Sequence, residues 1–281
     1  MPSSIRGGAP ERPLLPPILP IDPDQPLRWL VLGFRDLCRN PWLSMGHGLL
    51  MAVAAWCITW LAHDRFWVLA GLLSAFMVAA PVLATGLYAM SRAIERGDTI
   101  DLGLLVDTWT RWKMRLQAQP DSYWALVRFG LLLGLAALGW VLTSSAFIWS
   151  MSPVPIHTPM DFLRHVVASQ EHRLFEIWLA LGGLMAAPLF ASSVVAMPML
   201  LDRRVTVLQA VLTSWKAVIT HPVTMAFWAF LLMLFSLLGI FSLYLGLVAV
   251  VPLLGHASWH AYRELVDVRG LPSRLDEEGH A

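Results

Sequence analysis

The sequence predicts an all-α membrane protein: six transmembrane helices in three repeated hairpins, each hairpin preceded by a cytoplasmic amphipathic helix. Three observations carry that prediction. Of the 281 residues only 14% are charged and 57% are hydrophobic, with a mean hydropathy of +0.61. A water-soluble domain carries about 25% charged residues to keep its surface wet. Several apolar runs approach or exceed the roughly 20 residues that cross a hydrocarbon core. Finally, lysine and arginine crowd one side of those runs.

Residues 1–26 are rich in proline, including Pro10, Pro13, Pro16 and Pro17, and lack the apolar core of a signal peptide. They are expected to form an extended, disordered cytoplasmic tail. The spans follow at 42–62, 66–90, 123–149 and 174–201. The final apolar block, 222–259, is long enough for two short spans, with Leu238-Gly239-Ile240 as the expected turn. Residues 268–281 are expected to be a second disordered tail.

Orientation comes from the basic residues in short loops. Seventeen of the twenty lysines and arginines precede span one, follow span six, or lie in the 2–3 and 4–5 connections and their edges; Arg65, Arg164 and Arg173 lie opposite. Both termini are therefore placed in the cytoplasm. The net charge of +1 offers no field to attract nucleic acid.

Self-comparison gives the repeat. Ala80-Pro81-Val82-Leu83-Ala84, Ala187-Pro188-Leu189-Phe190-Ala191 and Val251-Pro252-Leu253-Leu254-Gly255 fall in the even-numbered spans. At the same offset Ala89-Met90 matches Ala196-Met197 and Glu95-Arg96 matches Asp202-Arg203; in the third copy Tyr88 aligns with Trp259 and Arg92 with Arg263. Ahead of span one, Leu27, Leu30, Val31, Phe34, Leu37 and Cys38 form an apolar helical stripe, with Arg28, Arg35, Asp36 and Arg39 opposite. Residues 205–220 repeat the pattern, with Val207, Leu208, Val211, Leu212, Trp215, Val218 and Ile219 on the apolar side and Gln209 and Lys216 on the polar side. Leu102, Leu105, Trp109, Trp112 and Leu116 give a looser middle copy. Asn40-Pro41, His221-Pro222 and Pro120 stop these helices, because the residue before proline disfavours helical backbone. The repeats run over about 27–96, 97–203 and 204–267.

The amphipathic helices suit the cytoplasmic headgroup region, or else a cap over the bundle. Pro81, Pro188 and Pro252 serve as matched kinks for packing, or as hinges around a substrate cavity. Cys38 and Cys57 form no C-x-x-C motif and read as small packing residues.

His256 and His260 share a helical face, and His47 and His221 are expected at similar depth near the cytoplasmic boundary. Two readings stand: imidazoles seated in the wet interface beside Trp259 and Tyr262, or ligands for haem or a divalent metal. No acidic or cysteine ligand joins them in sequence, so no cofactor is assigned. His157, His165 and His172 lie in the outer loop beside Phe162, Leu163, Val166 and Val167, a pattern of a surface-lying helix. Asp36 with Arg35 and Arg39, and Glu264 with Arg263, read as interfacial ion pairs. No phosphate-binding loop, nucleophile elbow, zincin helix or dinucleotide fingerprint occurs, so no enzyme is expected.

The segment Gly33-Phe34-Arg35-Asp36-Leu37-Cys38-Arg39-Asn40-Pro41 resembles the opening of a bacterial family of predicted integral membrane proteins catalogued as domain of unknown function 2189. Residues 252–263 resemble that family's closing motif, and the likeness extends over roughly 27–267. It implies a bacterial inner membrane and brings no activity, substrate or cofactor. The leading functional expectation is a non-enzymatic protein that organises, assembles or regulates lipid, other membrane proteins or copies of itself. A small-solute transporter or channel is the alternative, and a haem or metal protein using His256 and His260 the second.

Overall fold

The computed structural model describes residues 15–110, 120–168 and 173–273. Among them the chain is helical, and strand pairing is limited to the isolated bridges Ile18–Val266 and Arg203–Ser273. The order is α1 (Gln25–Arg39), α2 (Pro41–Ala62), α3 (Phe66–Leu83), α4 (Thr85–Arg96), α5 (Leu102–Thr110), α6 (Pro120–Met151), α7 (Pro159–Phe162) with a π turn over Leu163–Val167, α8 (Leu174–Ser193), α9 (Ala196–Asp202), α10 (Val207–Thr220), α11 (Pro222–Phe241) and α12 (Leu247–Leu265). Trp112, Leu116 and His172, singled out in the sequence, lie outside the described residues.

Five segments are long and apolar enough to cross a membrane: Pro41–Ala62, Phe66–Arg96, Trp124–Met151, Leu174–Asp202 and Pro222–Phe241. The chain is thus a multi-pass integral membrane protein. Trp60, Leu61, Trp149, Leu184 and Phe241 are each more than 70% exposed, tolerable where the surrounding solvent is hydrocarbon. Cys38 and Cys57 are also exposed, so neither is the interior packing residue expected. Helix α12 is nineteen residues long but less apolar, because His256, His260, Arg263 and Glu264 occupy its C-terminal half.

The expected turn at Leu238-Gly239-Ile240 lies instead inside α11, and the chain reverses over residues 242–246. Leu243 and Tyr244 adopt positive φ there, 56° and 67°, a conformation disfavoured for residues with a Cβ. Two contacts from α2 hold them: the Trp56 indole donates to Leu243 O at 2.7 Å, and Tyr244 Oη lies 2.8 Å from Thr59 Oγ1. Tertiary contact holds Leu243 and Tyr244, and the turn closes on Gly246, where a Cβ would stand 2.5 Å from Ser242 Oγ and 3.1 Å from Gly239 Cα.

Both tails are also shorter than expected. Leu19 N donates to Leu265 O and Asp267 N to Pro17 O, so residues 17–19 are tied to the exit of α12. On the C-terminal side Val268 is buried and Arg204 N donates to Pro272 O.

The core sits at one end of the bundle. α4, α9 and the C-terminal half of α12 pack together and are almost wholly buried, whereas the preceding α3 and α8 bury little. The interruptions separating α3 from α4 and α8 from α9 fall at Ala84 and at Val194–Val195, not at Pro81 or Pro188, and α12 runs through Pro252 unbroken. The second interruption has a local cause. Pro198 lies four residues beyond Val194, and a proline ring clashes with the carbonyl four residues back.

Short helices brace this core. α1 lies along α12, α5 against α4, and α10 against α8 and α9. A Cβ on Gly33 would stand 2.6 Å from Ala257 N and 2.8 Å from Leu253 O, so α1 reaches α12 only because position 33 lacks one. On α2, Gly48 meets Val248 O so closely that a Cβ there would overlap it. Pro252 deprives that carbonyl of its usual helical donor.

Two glycines on α2 should therefore respond oppositely to alanine. Gly48→Ala should cost about 1–3 kcal/mol through overpacking, read as a lower Tm of the detergent-purified protein. Gly46→Ala, with nothing within 4 Å, should be neutral or stabilising by up to about 1 kcal/mol. Equal effects at both positions would contradict the α2–α12 contact.

Candidate functional site

The largest buried polar assembly joins α1, α2, α4 and α12. Asp36, Ser44, Ser91 and His256 are fully buried and His260 nearly so. Ser91 Oγ donates to Asp36 Oδ2 at 2.9 Å, and His260 Nε2 donates to the same oxygen at 2.8 Å. Since the Ser91 proton goes to Asp36, the 2.8 Å contact between Ser91 Oγ and His256 Nδ1 has the imidazole donating. His256 Nε2 then accepts from Ser44 Oγ at 3.0 Å. The chain runs hydroxyl, imidazole, hydroxyl, carboxylate, imidazole.

Ser44 gives its proton to His256 as the hydroxyl of a nucleophile–base pair would, but the imidazole is oriented by the Ser91 hydroxyl, with the carboxylate one step further on. Asp36, Ser44, Ser91 and His256 have no solvent exposure, and only His260 reaches the surface, at its edge. Burial pushes the Asp36 carboxyl up, but the hydrogen bond and charge of His260 and the Ser91 hydroxyl outweigh it, leaving the carboxyl below its ordinary value. Asp36 Oδ1 is buried with no partner among the described residues.

Of the four histidines singled out in the sequence, the structure brings His256 and His260 to this carboxylate. His47 donates instead to Leu83 O at 2.9 Å, beside the interruption of the second span, and His221 to Leu19 O at 2.9 Å, fastening the N-terminal segment. Among the described residues no group of three or more His, Cys, Asp or Glu is arranged to hold a metal. His157 precedes the short α7, which Thr158 and Asp161 start with a capping box, and His165 lies within the π turn that follows it.

A second polar group lies where α4, α9 and α12 end. Tyr262 Oη and Arg203 Nε donate to Asp202 Oδ2 at 2.8 and 2.9 Å, and Arg263 Nε stands 3.2 Å from Glu95 Oε2. Arg92 donates to Leu201 O. The expected Glu264–Arg263 pair does not form: Glu264 accepts from Trp29 Nε1 at 2.8 Å and from Gln25 Nε2, because its side chain faces α1. Nor does Asp36 pair with Arg35 or Arg39, because it lies on the protein-facing stripe of α1.

Toward the other membrane face the splayed halves of the helices leave an apolar cavity of about 410 Å³. Pro81, Phe190, Leu232, Ser236, Val251 and Leu254 contribute to its wall, which carries no charged residue. Ser193 and Ser258 also line it, but donate to Leu189 O and Leu254 O of their own helices.

Asp36 was the residue that helical patterning missed. It shares a face with Trp29 and Gly33, at i, i+4 and i+7, and a tryptophan and a glycine on one stripe were the available signal.

In comparisons with known proteins, residues 68–202 match the family described as Predicted integral membrane protein (DUF2189). The match lies between the segments 33–41 and 252–263, which carried the resemblance, and includes neither. No curated protein and no solved structure matches the chain.

Removing one partner of a buried charged pair costs about 3–5 kcal/mol, so Asp36→Ala should lower the unfolding free energy by that order. A double-mutant cycle with His260→Ala should give a coupling of about 0.5–3 kcal/mol. A carboxyl held low in the folded state stabilises above its unfolded pKa of about 3.9, and the contribution is lost as pH falls below that. The gap between wild type and Asp36→Ala should therefore narrow below about pH 4. Additive single variants, or a gap that does not narrow below about pH 4, would break the assignment.

Proposed function

We propose that this integral membrane protein, whose residues 68–202 carry the DUF2189 domain, is a non-enzymatic lipid-organising protein that seats an acyl chain of a membrane lipid between its helices. The observation that carries the reading is the apolar cavity of about 410 Å³ walled by α3, α8, α11 and α12. α3 packs along α6 and α12 along α2, whereas α8, which packs on α6 and α10, and α11, which packs on α12, make no extended contact with each other. The cavity therefore faces the surrounding lipid between α8 and α11. In hydrocarbon an acyl chain gains nothing from leaving water, so occupancy rests on van der Waals packing. A bilayer supplies the occupant at high local concentration. A path for polar solutes is poorly served by this wall, and the tightly packed ends of α4, α9 and α12 lie beneath it.

The topology that fits has six spans, with α12 as the sixth and both termini on the arginine-rich, cytoplasmic side of the inner membrane. Pairing of residues 17–19 with 265–267 favours an even number of crossings. A threefold repeat fits too. Asn40 and His221 share one unusual backbone conformation, φ −140°, ψ 69° and φ −126°, ψ 59°, each immediately before a proline that opens a span. α1 and α10 expose matching stripes, Leu27, Val31 and Phe34 against Leu208, Leu212 and Trp215. In this scheme each amphipathic helix braces the even span of the preceding repeat, and α1 closes the ring on α12.

Lipid extraction and native mass spectrometry of the detergent-purified protein should find lipid retained by wild type and mostly lost from Ser236→Trp, which fills the cavity. Equal retention by both would remove the acyl-chain reading. Topology has its own test, in a Cys38→Ser/Cys57→Ser background. Val154→Cys should react with a membrane-impermeant maleimide from outside intact cells, and Arg269→Cys only after the membrane is opened. The reverse pattern would invert the orientation.

A further inference from the structure

Building on the acyl-chain reading, we infer that the seated lipid is an ester whose acyl carbonyl accepts a hydrogen bond from the Tyr88 hydroxyl. Tyr88 lines the apolar cavity and is only 4% exposed. Its hydroxyl makes no hydrogen bond among the described residues. Three partnerless side-chain atoms there are sealed off, Asp36 Oδ1, Trp228 Nε1 and Trp259 Nε1. The Tyr88 oxygen is not one of them, so it keeps open surface, and the open space beside Tyr88 is the cavity. Side chains of a helix lean toward its N-terminus, and α4 meets the cavity at that end, through Ala84. A donor left without an acceptor in apolar surroundings is costly, and a ligand oxygen would answer it.

Ser193 and Ser258 line the same cavity but have given their protons to Leu189 O and Leu254 O of their own helices. The wall carries no charged residue, so a carboxylate or phosphate would be desolvated there without a counter-ion. The acceptor is therefore uncharged. Depth selects among uncharged acceptors. Tyr88 lies one helical turn, about 6 Å, before Arg92, which is the first charged residue of that span. The interfacial layer of a bilayer is about 5–8 Å deep on each side. At a similar level, four residues past Pro188 as Tyr88 is seven past Pro81, Ser192 Oγ accepts from the Trp215 indole of α10 at 2.9 Å. Indoles gather at that boundary. Membrane lipids carry their ester carbonyls there, each bonded directly to an acyl chain. A carbonyl on Tyr88 would send its chain away from the arginines and along the cavity, past Phe190 and Leu232.

The full-length detergent-purified protein is delipidated and offered an equimolar mixture of dioleoyl phosphatidylcholine and its di-O-oleyl ether analogue, which lacks only the carbonyl oxygens. Native mass spectrometry reads the ratio of the two lipids retained. Lipid retained equally by Ser236→Trp lies outside the cavity and is subtracted. Wild type should favour the diester about three- to tenfold. Tyr88→Phe, which removes only the hydroxyl, should bring the ratio near one. The wild-type ratio needs no variant, so the test stands even where Tyr88→Phe fails to fold. A wild-type ratio near one, as a water held on Tyr88 would give, overturns the ester assignment and leaves the acyl-chain reading intact. A preference that survives Tyr88→Phe overturns it as well. No cavity lipid of either kind removes both.

Discussion

The contact on which the architecture turns is the one between Asp36 and His260. A carboxylate with no solvent exposure is costly unless it is paired and hydrogen-bonded. Here one oxygen receives both an imidazole from the last helix and a hydroxyl from α4. That arrangement fixes α1 in depth and rotation, because a turn of the helix either way would strand the charge. Gly33 then permits the close approach, and Trp29 reaches Glu264 from the same stripe. The first helix and the last are thereby joined, and everything between them is held as a closed set rather than as successive hairpins.

Closure at one end leaves the other end free to differ. Helices that meet through Ala89, Val195, Ala196 and Ala257, all buried, converge tightly. The halves above the interruptions diverge, and their bulky side chains face outward or into the apolar cavity. The break at Val194–Val195 matters here because it lets α9 point into the core while α8 leaves it. A continuous helix through Pro198 would meet the carbonyl of Val194. Core and cavity are thus two consequences of the same interrupted helices.

Much of this was legible in the sequence, and the unread parts have physical reasons. Five apolar spans and the proline junctions at 41 and 222 follow from patterns that depend on local backbone and hydropathy. So does the exposed apolar stripe of Leu27, Val31 and Phe34. A two-sided helical wheel misplaces Asp36 because it assumes one apolar and one polar environment, whereas α1 has an exposed apolar stripe, an exposed basic stripe and a buried stripe against α12. On such a helix the protein-facing stripe contains what the partner demands, here a tryptophan, a glycine and an acid. The turn after α11 was displaced because Leu243 and Tyr244 take their strained backbone from contacts with α2, which no local signal encodes. Proline content points to a disordered tail over residues 1–26, yet Pro17 and Leu19 are held by amide and carbonyl groups of the α12 exit.

Basic residues carry two meanings that a count cannot separate. Arg35 and Arg39 project from α1 and are exposed, while Arg28 stands 3.8 Å from Glu264. Arg92, Arg203 and Arg263 stand at the same membrane face but fold onto Leu201 O, Asp202 and Glu95. The repeat alignment already distinguishes the two sets: Glu95-Arg96 recurs as Asp202-Arg203, and Arg92 as Arg263, with acid and base retained together, whereas residues that only set orientation need no acidic companion. Where charge of both signs is kept at the end of a membrane helix, a count of cations gives the topology, and the retained acids mark where those cations have been drawn into structure.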